Sequence, residues 1–296
     1  RLRAVRWATE STQPPASSEP AAAGGAKVAP PQGWQDVAGS AVLFPSSDAT
    51  ALVHFLGGAF VGASPRLFYQ TFLERLAEES GAIVIATPYK LAFDYDTTAT
   101  GAAMAFESAR KELVDQGLMP DRLEREPAFG IGHSCGALLH SLLAADRPYA
   151  GCILMSFNNR PVSEAIPVTL PPSPQDQRVR DAISNGLETV LADSRMEESL
   201  RVGGAFAELA LAAIRGESDD ARSDTQNKEE TAREAAPIFS QLGPLLGSVV
   251  QGERDFTISQ EEISSRLSGR YSAPRTLLVQ FANDLTDETS RLASVL

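Results

Sequence analysis

Gly132-His133-Ser134-Cys135-Gly136 stands between the apolar run Ala128-Phe129-Gly130-Ile131 and an apolar helical pattern over 137–145. A G-x-S-x-G pentapeptide constrains little by itself, but between a strand and a helix it predicts one particular turn. Its two glycines allow a sharp, strained bend that lifts the serine oxygen above the end of a sheet. The helix behind the bend leaves its first backbone N–H groups unpaired, ready to face negative charge. Ser134 is therefore the candidate nucleophile.

The rest of the chain fits a sheet around that turn. Ala51-Leu52-Val53-His54-Phe55-Leu56 predicts a buried strand closed by Gly57-Gly58. Ser64-Pro65 starts a helix whose apolar face reads as Leu67, Phe68, Phe72, Leu73 and Leu76, with Gly81 as its stop. Further strands are expected at Ala82–Ala86, Cys152–Phe157 and Thr276–Phe281, with a helix over 97–116 and one or two edge strands within 34–44. Strands alternating with helices predict an α/β fold, with a mostly parallel sheet covered by helices on both faces. Between 158 and 237 no buried strand appears. Prolines 167, 171, 172 and 174, two helical patterns over 176–195 and 196–215, and the polar run 216–234 predict an inserted helical cap with an acidic linker. The organisation expected is a flexible segment over 1–33, a core over 34–157 and 238–296, and the cap over 158–237.

Composition removes several functions. A net charge of −12 over 296 residues, with no basic patch, argues against nucleic acid. No apolar stretch is long enough to span a bilayer. Two cysteines, Cys135 and Cys152, make neither a disulfide framework nor a metal site, and no metal or cofactor is expected. The start of the chain is basic, hydroxylated and poor in acids, as organelle transit segments are.

The ordered motifs His54-Phe55-Leu56-Gly57-Gly58-Ala59-Phe60, Gly132-His133-Ser134-Cys135-Gly136 and Leu277 to Thr289 with its Asp-Glu-Thr resemble the α/β-hydrolase superfamily. More narrowly they resemble the DUF1350 family of plants, algae and cyanobacteria. That resemblance implies a hydrolase-like fold and, by default, ester, thioester or lipid acyl chemistry at Ser134. The oxyanion hole is expected from the N–H of Cys135 and one from Gly58 or Ala59, with Gly57 giving close backbone approach and His54 bracing the loop. The order serine, acid, histidine makes Asp284 the candidate acid, with Asp287 in reserve. Asp287 is equally suited to starting the helix that follows it.

The histidine is harder to place. His140 lies about 9 Å along the helix axis from Ser134, His133 is expected to leave the turn in another direction, and His54 sits in a strand. The expected base follows Asp284, where this sequence has no histidine. It lies outside the given sequence, or the protein has lost it. The two functions expected are thus a serine hydrolase with a small acyl substrate and a non-catalytic subunit on the same scaffold. The second would join a plastid complex, such as one of the thylakoid, through its cap or N-terminal segment.

Overall fold

The computed structural model describes residues 2–8, 31–160, 257–282, 284 and 286–296. Eight strands form one sheet: β1 (Leu2–Ala8), β2 (Gly33–Val37), β3 (Ser40–Phe44), β4 (Ala51–Leu56), β5 (Ala82–Ala86), β6 (Phe129–His133), β7 (Gly151–Met155) and β8 (Arg275–Phe281). Their spatial order is β1-β8-β7-β6-β4-β5-β3-β2. The five strands β5, β4, β6, β7 and β8 are mutually parallel. The β2–β3 hairpin closes one side antiparallel to β5, and β1 closes the other antiparallel to β8.

Among the described residues five α-helices accompany the sheet: α1 (Pro65–Ser80), α2 (Tyr95–Asp115), α3 (Cys135–Asp146), α4 (Gln260–Arg270) and α5 (Thr289–Val295). The alternation of side chains along each strand divides the core in two. Ala82, Val84 and Ala86 of β5 pack with Leu73 and Ala77 of α1, while Ile83 and Ile85 turn to the other face with Phe106 and Leu113 of α2. Both faces are covered, so the central strands are apolar but for His54 of β4 and His133 at the end of β6. Helix α3 is buried along nearly its whole length because it lies between the sheet and helices α2 and α4.

Local chemistry explains the helix ends. Gly81 ends α1 in the left-handed conformation (φ 62°), which a residue without a Cβ adopts at little cost. Asp94 caps α2 by accepting from the N–H groups of Asp96 and Thr97. At α4, Ser259 accepts from Glu262 N–H and Glu262 in turn accepts from Ser259 N–H, a complete capping box. Arg266 then ties α4 to Asp96 of α2 and to Asp146 of α3.

Three sequence expectations change. Of the segment 1–33, expected to be flexible, Leu2–Ala8 forms β1 on an open sheet edge, whose unpaired backbone groups an extended segment satisfies, and residues 9–30 lie outside the described residues. The buried face of α1 is Pro65, Leu73 and Ala77, with Tyr69 partly buried; Phe72 is exposed. A strict four-residue spacing wins over the count of large apolar residues. Helix α4 was not anticipated at all. The expected cap over 158–237 falls outside the described residues beyond Arg160.

Beneath the sheet's functional end lies a sealed aromatic cluster. His54 stacks on Phe106 with ring centroids 4.2 Å apart and meets His140 edge-on at 4.7 Å. Its Nδ1 pairs with Tyr149 Oη at 3.0 Å. Burial pushes His140 down to about 3, and burial, with His140 and Arg147 nearby, holds His54 well below the ordinary 6.5. Both imidazoles are therefore neutral in the fold but gain protons in the unfolded chain below about pH 6.5. Their contribution is fully present above that pH and is lost as pH falls toward the folded values. His140→Leu removes one such group. Between about pH 7 and about pH 5 the variant should lose about 2 kcal/mol less unfolding free energy than the parent, as measured by denaturant titration at each pH. Leu138, fully buried in α3, tests the packing. Leu138→Ala should cost about 2–5 kcal/mol in the same titration at neutral pH.

Candidate active site

In a doubly wound sheet, ligands bind beyond the carboxyl ends of the strands, where the chain reverses its direction of travel across the sheet. Here that point lies between β4 and β6, since β5 follows β4 on one side and β6 joins it on the other. The register aligns the strand exits. Leu56 pairs with Gly132, His133 with Met155, and Met155 with Val279. The loop at Gly57-Gly58, the turn at Ser134, the turn at Ser156 and the loop carrying Asp284 and Asp287 therefore stand side by side.

Ser134 has φ 55° and ψ −121°, a conformation that costs a residue with a Cβ about 1–3 kcal/mol. The strain is held from both sides. Ser134 N–H donates to Met155 O at 2.9 Å, and its carbonyl accepts from Ala137 N–H at 2.9 Å. The flanking glycines leave no room for substitution. A Cβ on Gly132 would lie 2.3 Å from Gly136 O, and one on Gly136 would lie 2.2 Å from Leu56 O. Cys135 occupies the first position of α3, so its N–H has no acceptor within the helix. Its thiol is buried and pushed up to about 12 by that burial, so the residue presents backbone rather than a reactive sulfur.

The loop after β4 is held by two tyrosines. Tyr89 Oη donates to Gly57 O at 2.8 Å, and Gly58 N–H donates to Tyr69 Oη at 2.8 Å. These are the two ends of one peptide group, so its plane is fixed. The rings also explain the glycines: a Cβ on Gly57 would meet the Tyr69 ring at 2.6 Å, and one on Gly62 the Tyr89 ring at 2.5 Å. Two expectations are corrected by this geometry. His54 does not brace this loop, because its side chain turns to Tyr149 beneath the sheet. Gly58 N–H already has an acceptor, which leaves Ala59 as the loop amide without one among the described residues.

Ser156 (φ 49°) turns the chain directly after β7, and its hydroxyl donates to Asp284 and, at 3.3 Å, to Asp287. Asp284 also accepts from the Thr286 N–H at 2.9 Å and the Thr286 hydroxyl at 2.8 Å. Partial burial would raise its pKa, but the bonds from Ser156 and Thr286 and the nearby His133 outweigh it and hold the carboxyl below its usual range. Asp287 closes the loop: it accepts from Phe281 N–H at 3.1 Å and, like a helix cap, from Thr289 N–H at 2.7 Å. Glu288 and Thr289 continue the stitching, accepting from Asn159 N–H and Phe157 N–H. Both carboxylates are thus held by the loop, Asp284 within its turn and Asp287 to β8 and the start of α5.

His133 does not leave the site as expected. Its Nδ1 lies 2.9 Å from Tyr69 Oη, and burial lowers its pKa against the opposing charges of Asp284 and Asp287. His140, by contrast, is sealed beneath the sheet. Tyr69, Tyr89 and Ser156 were not among the residues singled out from sequence. The four-residue series Pro65, Tyr69, Leu73, Ala77 could have placed Tyr69 on the sheet side of its helix; nothing local marks Tyr89 or Ser156. Among the described residues no group of three or more His, Cys, Asp or Glu side chains is placed to hold a metal, and no helix is long and apolar enough to cross a membrane.

The mostly parallel sheet with this turn after β6 is an α/β-hydrolase-like fold and supplies a hydrolase-like scaffold. Among solved structures the chain is similar to an α/β hydrolase from Sphaerobacter thermophilus, with 16% identity, TM-score 0.41, and 89% of this chain and 88% of that one covered. A lipase in its open form shares 17% identity at TM-score 0.34, covering 90% and 97%. DphMB1 shares 16% at TM-score 0.34, and there the chain spans about half of the other protein's length, 45% and 48% being covered. No curated protein matches the sequence. Residues 33–202, more than half of the chain, match the family described as a protein of unknown function, DUF1350, and the chain belongs to that family.

Proposed function

We propose that this protein is a serine hydrolase acting on an ester, thioester or lipid acyl group. The observation that carries the reading is the backbone of Ser134, held at φ 55° between Met155 O and the first turn of α3. Strain of this kind persists where the surroundings enforce it, and it concentrates at reactive sites. The hydroxyl has no hydrogen-bond partner among the described residues and stands at the open ends of the strands.

Ser134 Oγ attacks the acyl carbon, and the oxygen that gains charge faces the N–H groups of Cys135 and Ala59. A histidine takes the serine proton, and Asp284, held ionised by Ser156 and Thr286, balances the imidazolium. In the expected chain order that histidine follows Asp284, at a position this sequence does not include. The basic, acid-poor start of the chain supports a plastid location for this activity.

Labelling of the full-length protein with a fluorophosphonate, read by intact mass, tests the assignment. One adduct per chain is expected, absent from Ser134→Ala and retained at a measurable level by Ser134→Cys. Thermal midpoints of the variants are compared with the parent, because the strained backbone conformation is kept by each. No adduct on folded parent protein would sink the hydrolase reading and favour a non-catalytic subunit built on the same scaffold.

A further inference from the structure

Each end of the Gly57–Gly58 peptide is bonded to a tyrosine, and each tyrosine reaches one neighbour of Ser134. Tyr69 Oη accepts from Gly58 N–H at 2.8 Å and pairs with His133 Nδ1 at 2.9 Å. Tyr89 Oη donates to Gly57 O at 2.8 Å, and its oxygen lies within hydrogen-bonding reach of the Cys135 thiol. The two phenols thus join the loop after β4 to both flanks of the candidate nucleophile. The loop and the turn are close where they are joined. The place a Cβ would take on Gly58 lies 3.4 Å from His133 Nδ1 and 3.5 Å from Ser134 Cβ.

We infer that Tyr69 and Tyr89 are positioning residues that set the spacing between the serine turn and the loop after β4, acting as one coupled clamp. The inference rests on the serine-nucleophile reading above. In that reading the charged oxygen must meet the N–H of Cys135 and the N–H of Ala59 together, at about 2.7–3.1 Å from each. The two amides belong to segments far apart in sequence. The β4–β6 ladder holds those segments in register only as far as Leu56 and Gly132. Beyond the last ladder pair the tyrosines take over, one on each side of Ser134.

The groups suit this role. Tyr69 is carried by α1 and its ring meets Phe55 of β4 edge-on, with centroids 4.9 Å apart. Tyr89 follows β5, its N–H donates to Gly62 O at 3.2 Å, and its side chain is buried. Burial pushes the Tyr69 phenol up to about 12 and holds that of Tyr89 well above its ordinary value, so both keep their hydrogens at physiological pH. Because both grip one peptide group, losing either bond lets that group turn about the other. The second bond then holds little, and the two contributions are not additive. A displacement of about 1 Å at a reacting centre is worth about 10²-fold in rate.

The test is fluorophosphonate labelling of Ser134 in the full-length protein over a range of probe concentrations, which separates the limiting rate from the half-saturating concentration. All rates are taken below the thermal midpoint of every variant. Tyr69→Phe and Tyr89→Phe keep their rings and should each lower the limiting rate by about tenfold or more, with the half-saturating concentration within about twofold of the parent. The double variant should fall little further than the slower single one. Tyr149→Phe is the control: it removes a buried phenol bonded to His54 Nδ1 at 3.0 Å beneath the sheet, and should lower the thermal midpoint while labelling within about twofold of the parent. Four results would overturn the clamp while leaving Ser134 as nucleophile. They are single variants that label at the parent rate, a double variant whose loss is the product of the two single losses, a control that slows as much as they do, and a Tyr69→Phe variant that labels faster because its Gly58 amide is released. A folded parent that does not label overturns both readings together.

Discussion

The close approach of the elbow to the end of β4 is the constraint on which the rest of the site depends. Gly136 brings the first turn of α3 so near the carbonyls of Leu56 and Gly57 that a Cβ would sit 2.2 and 2.4 Å from them. Gly132 allows the same proximity within the turn, facing the Gly136 carbonyl. With those two contacts made, Ser134 can only take the strained conformation that raises its hydroxyl, and the loop after β4 can only pass beside it. The N–H of Cys135 then emerges next to the loop amides. Nucleophile, loop and helix terminus are therefore one packing event rather than three, and a methyl group at either glycine would separate them.

Two further devices hold what this contact creates. The Tyr69–Tyr89 pair grips opposite ends of the Gly57–Gly58 peptide, one as acceptor and one as donor. On the other side Ser156, Asp284 and Thr286 form a closed hydrogen-bond set, tied to β8 and α5 through Asp287, Glu288 and Thr289. The Asp-Glu-Thr sequence earlier associated with the family resemblance thus has a mechanical meaning: each of its side chains anchors the loop after β8 to its own helix or to the exit of β7. Asp284 is held beside them by Ser156 and Thr286, whose bonds keep its carboxyl below the usual range.

How much of this was legible in the sequence follows from where the information lies. Strands β4 and β5 read to the residue, because a fully buried parallel strand is a short unbroken apolar run with glycine or proline at its ends. The elbow was legible for the same reason: its steric demand admits only glycine at two positions two residues either side of Ser134. The exposed face of α1 was misjudged because Phe68 and Phe72 are large but lie off the 65, 69, 73, 77 line that meets the sheet. Helix α4 is short and polar, with only Ile263 and Leu267 buried, so hydrophobic periodicity barely registers it. Its Ser259 to Glu262 capping box was the available signal. Tyr89 and Ser156 were invisible because their roles come from partners 32 and 128 residues away.

His133 shows the same limit most sharply. From sequence, neighbouring residues in a tight turn were expected to point apart, and a histidine next to the nucleophile looked unsuited to act on it. What the local rule omits is Tyr69, which arrives from a helix 64 residues earlier and bridges the imidazole to the loop beside Ser134. A buried hydroxyl serving only to hold Gly58 would be satisfied by any acceptor for its hydrogen. Its second partner here is instead a titratable ring, that of His133. The phenol thus links the loop amide of Gly58 to the imidazole beside the turn, two contacts that no local sequence rule predicts.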